Sequence, residues 1–404
     1  MKRTSKPSAR NTTRAIKKRN LPKPPSALAP RTAAGHATSF DVIVIGGGIM
    51  GTGASFELAK RGARVLVLER SVPGAEASSA AAGILGAQAE AHHDSDWFEL
   101  SLKSRQRHAE WAKELLERTG IDVEYRLCGV VRASATLEAA QAMQAERAFQ
   151  RRYGCRVSDL DARSLSRLLP QFSSKLQGGV YFPEDARVDP PKLLRALRIA
   201  AEKAGAVFRS GTYVRRVLRD TKRATGVALD DGTELKAKHV VVAAGSWTSL
   251  VEGVPTTRIV KPARGQIVEL SAPAPLFEPV VFGPGCYLVP RDDGRVLIGS
   301  TLEFVGYRRE VTAQAVRNLL DAALTLVPAL ADATLSGTWS NFRPYTSDET
   351  PWVGEGEVPG LVLATGHYRN GILLAPITAD LVTAAIVGDS GKRRPRAARP
   401  ADTE

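Results

Sequence analysis

Residues 41–51 read DVIVIGGGIMG, and the apolar run RVLVLER that follows ends on Glu69, 18 residues past the last of those glycines. This pattern constrains the fold more tightly than any other stretch. The β-branched run at 42–45 suits a strand buried on both faces. Gly46, Gly48 and Gly51 fill the three positions of G-x-G-x-x-G. The first permits a tight turn, the second lets backbone approach a pyrophosphate, and the third lets the next helix pack close to the strand. The helix expected over 49–61 opens on Ile49 and Met50 and aims its free N–H groups and positive dipole end at phosphates. Gly62 stops it. The strand expected at 64–68 delivers Glu69 to a ribose diol, where an acid disfavours a 2′-phosphate. Spaced glycines alone mean less: GEGEVPG at 354–360 leads into a strand-like run, LVLATG, and reads as a plain loop.

A chain of 404 residues, 43% hydrophobic, is long enough for two domains or one large α/β unit. No run approaches the roughly 20 apolar residues of a membrane span, and no signal-peptide hydrophobic region is present. The net charge of +14 sits mostly at the ends. Residues 1–40 carry ten Lys/Arg and no acid, and residues 391–404 carry five Lys/Arg and two acids, which leaves the other 350 residues at +1. The near-neutral body gives no ground for specific nucleic-acid binding. Both tails, 1–39 and 389–404, read as disordered basic segments. Cys128, Cys155 and Cys286 form no C-x-x-C or metal spacing, which points to a reducing, cytoplasmic setting and no metal centre.

The expected fold class is α/β. Strand–helix units stand at the start, middle and end of the chain. Between them come helical stretches at 96–118 and 136–153 and an antiparallel block at 262–305. The pattern implies a discontinuous Rossmann-like nucleotide domain (40–90, 160–255 and 340–388) interleaved with an α+β substrate domain on an antiparallel sheet (91–159 and 256–339).

Four separated segments resemble the glycine oxidase branch of the D-amino-acid oxidase family. They are DVIVIGGGIMG with its VLER partner, ASSAAAGIL (77–85), VVVAAGSW (240–247) and ATGHYRNGILLAPITADLV (364–382). RVDPPKLLRAL (187–197), VPRDDGRVLIGSTLE (289–303) and FRPYTSDETPWVG (342–354) fit the same pattern. The resemblance implies a non-covalent FAD. Its adenosine side would use Gly46, Gly48, Gly51, Glu69 and Arg70, with backbone at Val214. Ser78, Ser79, Ala82 and Gly83 would line the pyrophosphate and flavin, and Gly245 and Trp247 would close over the cofactor. His367, Arg369, Asn370, Gly371 and Ile372, at the start of the last helix, would face the flavin. A helix N-terminus there would stabilise negative charge on reduced flavin. Cys286 leaves a covalent flavin link open.

The implied activity is oxidation of glycine or another small amino acid, such as sarcosine or a small D-amino acid. Oxygen, or a quinone or carrier, would then take the electrons. The glycine imine would feed thiamine thiazole synthesis, with thiazole synthase as acceptor; a homo-oligomer is left open. Arg343 is the expected carboxylate anchor, because a guanidinium grips a carboxylate bidentately. Tyr287 would add a phenolic hydrogen bond, and Arg369 would stand at the site wall. His367 is not read as a base, since hydride transfer requires none. Gly285 stands where glycine oxidases often carry histidine, and Ile84 and Leu302 where some carry methionine.

Overall fold

The computed structural model describes residues 40–388; the expected tails lie outside the described residues. Strand β1 (Phe40–Ile45), helix α1 (Ile49–Lys60) and strand β2 (Val65–Leu68) form in the expected order. β1 lies between β2 and the strand Glu234–Val242 and runs parallel to both, with Val44 beside Val67 and Val241. The sheet continues in parallel to Leu361–Thr365 on one side and Val207–Arg209 on the other. Trp352–Glu355 closes the first edge antiparallel, so part of the supposed loop at 354–360 is strand. A hairpin around Asp231-Gly232 pairs Ala224–Leu229 with Glu234–Val242.

Alternation along β1 explains its composition. Val42 and Val44 enter a core beneath helices α1, Asp96–Thr119, Pro190–Lys203 and Gly371–Val387. Ile43 and Ile45 enter a second core on the other face with Val217, Val227 and Leu363. A strand with both faces covered must be apolar throughout. α1 is correspondingly buried from Ile49 to Ala59. A Cβ on Gly51 would stand 2.0 Å from the Gly46 carbonyl oxygen, so helix and turn approach this closely only with glycine there. The last helix is long and apolar enough to cross a membrane by composition, but it packs against α1 and Asp96–Thr119 as a core element.

The second sheet has eight strands, in the order 334–345, 261–271, 295–299, 286–290, 280–283, 130–134, 178–182 and 158–161. All neighbours pair antiparallel except 280–283 with 130–134. Its strands at 158–161 and 178–182, and the whole of 334–345, lie on this sheet, so sheet membership does not change at residues 160 and 340. The helix expected over 136–153 breaks at Arg147 into Leu137–Glu146 and a 3-10 turn, Ala148–Tyr153.

Candidate active site

Where the two sheets meet, one cavity runs from the β1–α1 turn to the second sheet and encloses about 1850 Å³, its open mouth included. At one end the wall is Gly46, Gly48, Ile49, Met50, Glu69, Arg70 and Val214. No acid stands in the first turn of α1, and its N-cap residue, Gly48, has no side chain to cap it; Ser78 Oγ accepts the Ile49 N–H at 2.9 Å. Glu69 accepts from the backbone N–H groups of Gly47 (2.8 Å) and Ser71 (2.9 Å), which fixes its carboxylate beside the turn.

Above this end, Trp247 stacks on Tyr307 (centroids 4.0 Å apart) and carries the Arg70 guanidinium 3.5 Å over its ring. Glu76 ties Arg70 to Arg309. The turn bearing Gly245 and Trp247 is held to the strand 361–365, since Thr365 Oγ1 bonds the Gly245 carbonyl at 3.1 Å. The small-residue loop crosses between the sheets. Trp339 Nε1 donates to the Ala80 carbonyl at 3.0 Å and Arg291 to that of Ala82 at 2.8 Å. Ser78, Ala82, Gly83 and Ile84 therefore face the cavity.

At the other end Tyr287 and Arg343 meet. Tyr287 lies on the strand 286–290 opposite Gly299, and Arg343 on 334–345 opposite Ala263. Arg343 donates to the Thr301 carbonyl at 3.2 Å and to Ser300 Oγ. A Cβ on Gly265 would fall 2.3 Å from Arg343 Nη1, and one on Gly299 would fall 2.3 Å from the Tyr287 hydroxyl. Two absent side chains thus make the space in which these groups lie. Burial raises the Tyr287 phenol above its ordinary value, against the pull of Arg343, so it is a neutral hydrogen-bond donor at working pH.

The third wall is the turn before the last helix. Gly371 and Ile372 bring that helix's N-terminus to the cavity, as Ile49 and Met50 do for α1. Tyr368 adopts φ +46°, a costly region for a bulky residue. Its neighbour Arg369 lines the cavity, with its guanidinium 5.2 Å over the Tyr368 ring. His367 bonds Thr378 Oγ1 at 2.9 Å, and burial pushes its pKa down to about 3. It is neutral and held, as a wall residue rather than a base would be.

Three expected residues do not line the cavity. Gly51 supports the turn from behind, Ser79 faces a neighbouring cleft, and Asn370 precedes the last helix without making a side-chain cap. Gly285 and Leu302 are also off the wall, whereas Ile84 is on it. Cys286 is buried off the wall and its thiol is pushed up to about 12, so it offers the flavin no reactive thiolate. Sequence reading missed Phe282, Ser300, Asn341 and Glu90. Glu90 is the one acid in the small-residue stretch 77–90, a signal that was available. Burial, helped by Asp185, lifts its carboxyl to about 7 against Arg369, Arg132 and Arg343. Among the described residues, no group of three or more His, Cys, Asp or Glu is gathered as metal ligands would be.

Residues 41–385 match the DAO family of FAD dependent oxidoreductases. The chain belongs to this family. Glycine oxidase of Geobacillus kaustophilus is 40% identical over 348 residues, which is 85% of this chain and 92% of that protein. Its crystal structure superposes with a TM-score of 0.83 at 38% identity, covering 87% of this chain and 96% of the other. The bifunctional protein ThiO/ThiG of Synechocystis is 37% identical over 356 residues, 87% of this chain but 52% of that longer protein. The enzyme is thus an FAD-dependent oxidoreductase with the expected α/β fold. The cavity fits the cofactor. Glycines clear the β1–α1 turn, two helix N-termini face inward, and Trp247 Nε1 is buried without a hydrogen-bond partner.

Proposed function

We propose that this enzyme oxidises glycine or another small amino acid, and that the residues above hold cofactor and substrate as the family resemblance implies. The observation that carries the reading is the meeting of Arg343 and Tyr287 at the far end of the cavity. Neither Arg343 nor Arg369 has a carboxylate partner among the described residues. Arg343, already oriented by Ser300 and Thr301, would take the substrate carboxylate; each charged hydrogen bond contributes about 1.5–3 kcal/mol. The Tyr287 hydroxyl would add a second donor. Anchoring the carboxylate there fixes the α-carbon, and the apolar wall of Ile267, Phe282 and Ile84 excludes water and bulky side chains. Bound FAD would supply the chemistry, accepting hydride at N5 and passing the electrons to dioxygen as peroxide. The resulting imine is released or hydrolysed.

The glycine oxidase relative, in sequence and in structure, supports glycine as substrate. The ThiO/ThiG relative supports transfer of the imine to a thiazole synthase in thiamine synthesis. Free, buried cysteines accord with a cytoplasmic enzyme. Strands on the first sheet would form the cofactor domain and those on the second the substrate domain. The test is anaerobic addition of glycine, sarcosine and D-alanine to the purified yellow protein. Flavin bleaching, with peroxide formed on admitting air, is expected. No bleaching by any of the three overturns the reading. Bleaching reversed by a quinone but not by oxygen would make the enzyme a dehydrogenase.

A further inference from the structure

Three carboxylates line the cavity, and their bonding separates them. Glu69 is held by two backbone N–H groups, and Glu76 is shared by Arg70 and Arg309. Glu90 has neither a hydrogen bond nor an ion pair from its carboxyl to any described residue, and its oxygens are open to the cavity. Its backbone, by contrast, is firmly placed. The fully buried carboxylate of Asp185 accepts the N–H groups of Gln88 (3.1 Å) and Ala89 (2.8 Å) and is paired with Arg105 at 2.6 Å. Arg132 donates to the Ala89 carbonyl at 2.8 Å, and Glu90 N–H closes the turn on Gly86 at 3.0 Å. The turn thus holds an unpaired acid rigidly at the wall.

The same cavity carries two cations, Arg343 and Arg369, without carboxylate partners among the described residues. Two unpaired guanidiniums and one unpaired carboxylate make a site complementary to a zwitterion. From this arrangement, and resting on the amino-acid reading above, we infer that Glu90 receives the substrate's ammonium group and takes its proton. The step is a proton transfer only. An N–H bond of the ammonium breaks, its electron pair stays on nitrogen, and an O–H bond forms on Glu90. The amine left behind has the lone pair that hydride loss from the α-carbon requires.

The groups facing Glu90 set its acidity. Arg369 comes from the turn before the last helix, Arg343 and Tyr287 from the second sheet, Arg132 from the strand 130–134, and Asp185 from beneath the turn. Burial lifts the carboxyl to about 7 against the three guanidiniums, so it is ionised in a large fraction at neutral pH and still accepts a proton.

The test compares wild type with Glu90→Gln, both FAD-loaded. Two ligands are used: glycine, and glycolate, which keeps the carboxylate and replaces the amine by a hydroxyl. Glycolate affinity is read from the flavin spectrum, and glycine from anaerobic flavin reduction against concentration and pH. In E90Q, glycine should reduce the flavin at least tenfold less efficiently, with glycolate affinity unchanged or higher. The limb of the kcat/KM profile near pH 7 should disappear, so that efficiency rises only towards the substrate's own ammonium pKa. Parallel loss of both ligands would make Glu90 a shaping residue, and an unaltered pH profile would deny it the proton; either result overturns the inference. If wild type reduces with no amino acid, the functional reading itself fails, a separate outcome.

Discussion

Gly265 offers a way to displace the proposed substrate anchor, Arg343, without unfolding the protein. Its strand partner is Asn341, and an added Cβ would fall 2.3, 2.4 and 2.5 Å from Nη1, Nη2 and Cζ of Arg343. Ordinary contact begins near 3.4 Å, so the guanidinium must retreat by about 1 Å. The obstructed group is the far end of a flexible side chain, so the fold can yield cheaply. On the proposed reading the site cannot, because a displaced guanidinium would lose a charged hydrogen bond to the substrate carboxylate. At about 1.5–3 kcal/mol for that bond and tenfold per 1.4 kcal/mol, Gly265→Ala should raise substrate or glycolate Kd by roughly 10- to 150-fold. Flavin-monitored titration reads this directly, and the melting temperature and FAD content should stay near wild type. Gly337→Ala, on the same strand as Arg343, is the control. Its Cβ meets only Trp339 at 3.6 Å and Glu269 at 3.9 Å, so affinity should be unchanged. A folded, FAD-loaded G265A with affinity within twofold of wild type would refute Arg343 as the anchor.

Arg70→Ala removes the guanidinium stacked on Trp247 and leaves Glu76 paired with Arg309 alone. A cation–π contact of about 0.5–2 kcal/mol makes FAD roughly 2- to 30-fold weaker; fluorescence titration of the apoprotein tests this, and an unchanged Kd sinks it. His108 is buried against the carbonyls of Ile372 and Leu373, and burial lowers its pKa to about 4. The unfolded chain therefore binds a proton near pH 6.5 that the folded chain refuses, so this histidine's contribution to stability falls as pH drops from about 6.5 to about 4. Glu90, Asp185 and Asp380, whose carboxyls burial holds up, pull the opposite way over part of that range. The readout is therefore the gap in unfolding free energy between wild type and His108→Gln. It should narrow by up to about 1.4 kcal/mol per pH unit below 6, and a gap independent of pH would show that His108 does not titrate as described.

Sequence legibility followed local physics. The β1–α1–β2 unit was readable because strand, turn, helix and acid must all occur within some 30 residues, each with its own residue preference. The second sheet was only partly readable. Gly178–Phe182 and Thr334–Tyr345 lack a clean apolar alternation: the first contains two glycines, and the second exposes much of its length at a sheet edge. Their pairing partners lie far away in sequence, where periodicity carries no information. The helix break at Arg147 was equally hidden. Arg147 is wholly buried, and its Nη2 reaches the Ala89 carbonyl on a distant loop.

The site divides along the same line. Its cofactor end is built from contiguous motifs, so Gly46, Gly48, Glu69 and the small-residue loop announced themselves. The end proposed for the substrate is assembled from residues 90, 287, 343 and 369, brought together only by the fold. Two of its determinants are side chains that are not there: Gly265 and Gly299 look like unremarkable strand glycines until the Arg343 guanidinium and the Tyr287 ring are seen lying over them. Glycine in a strand interior weakens the strand and often marks a close approach. Here both approaches come from groups assigned to the substrate. On that proposal the second sheet has exchanged some strand stability for the position of its anchor. Substitutions that fill these two gaps should shift substrate affinity before they shift the fold.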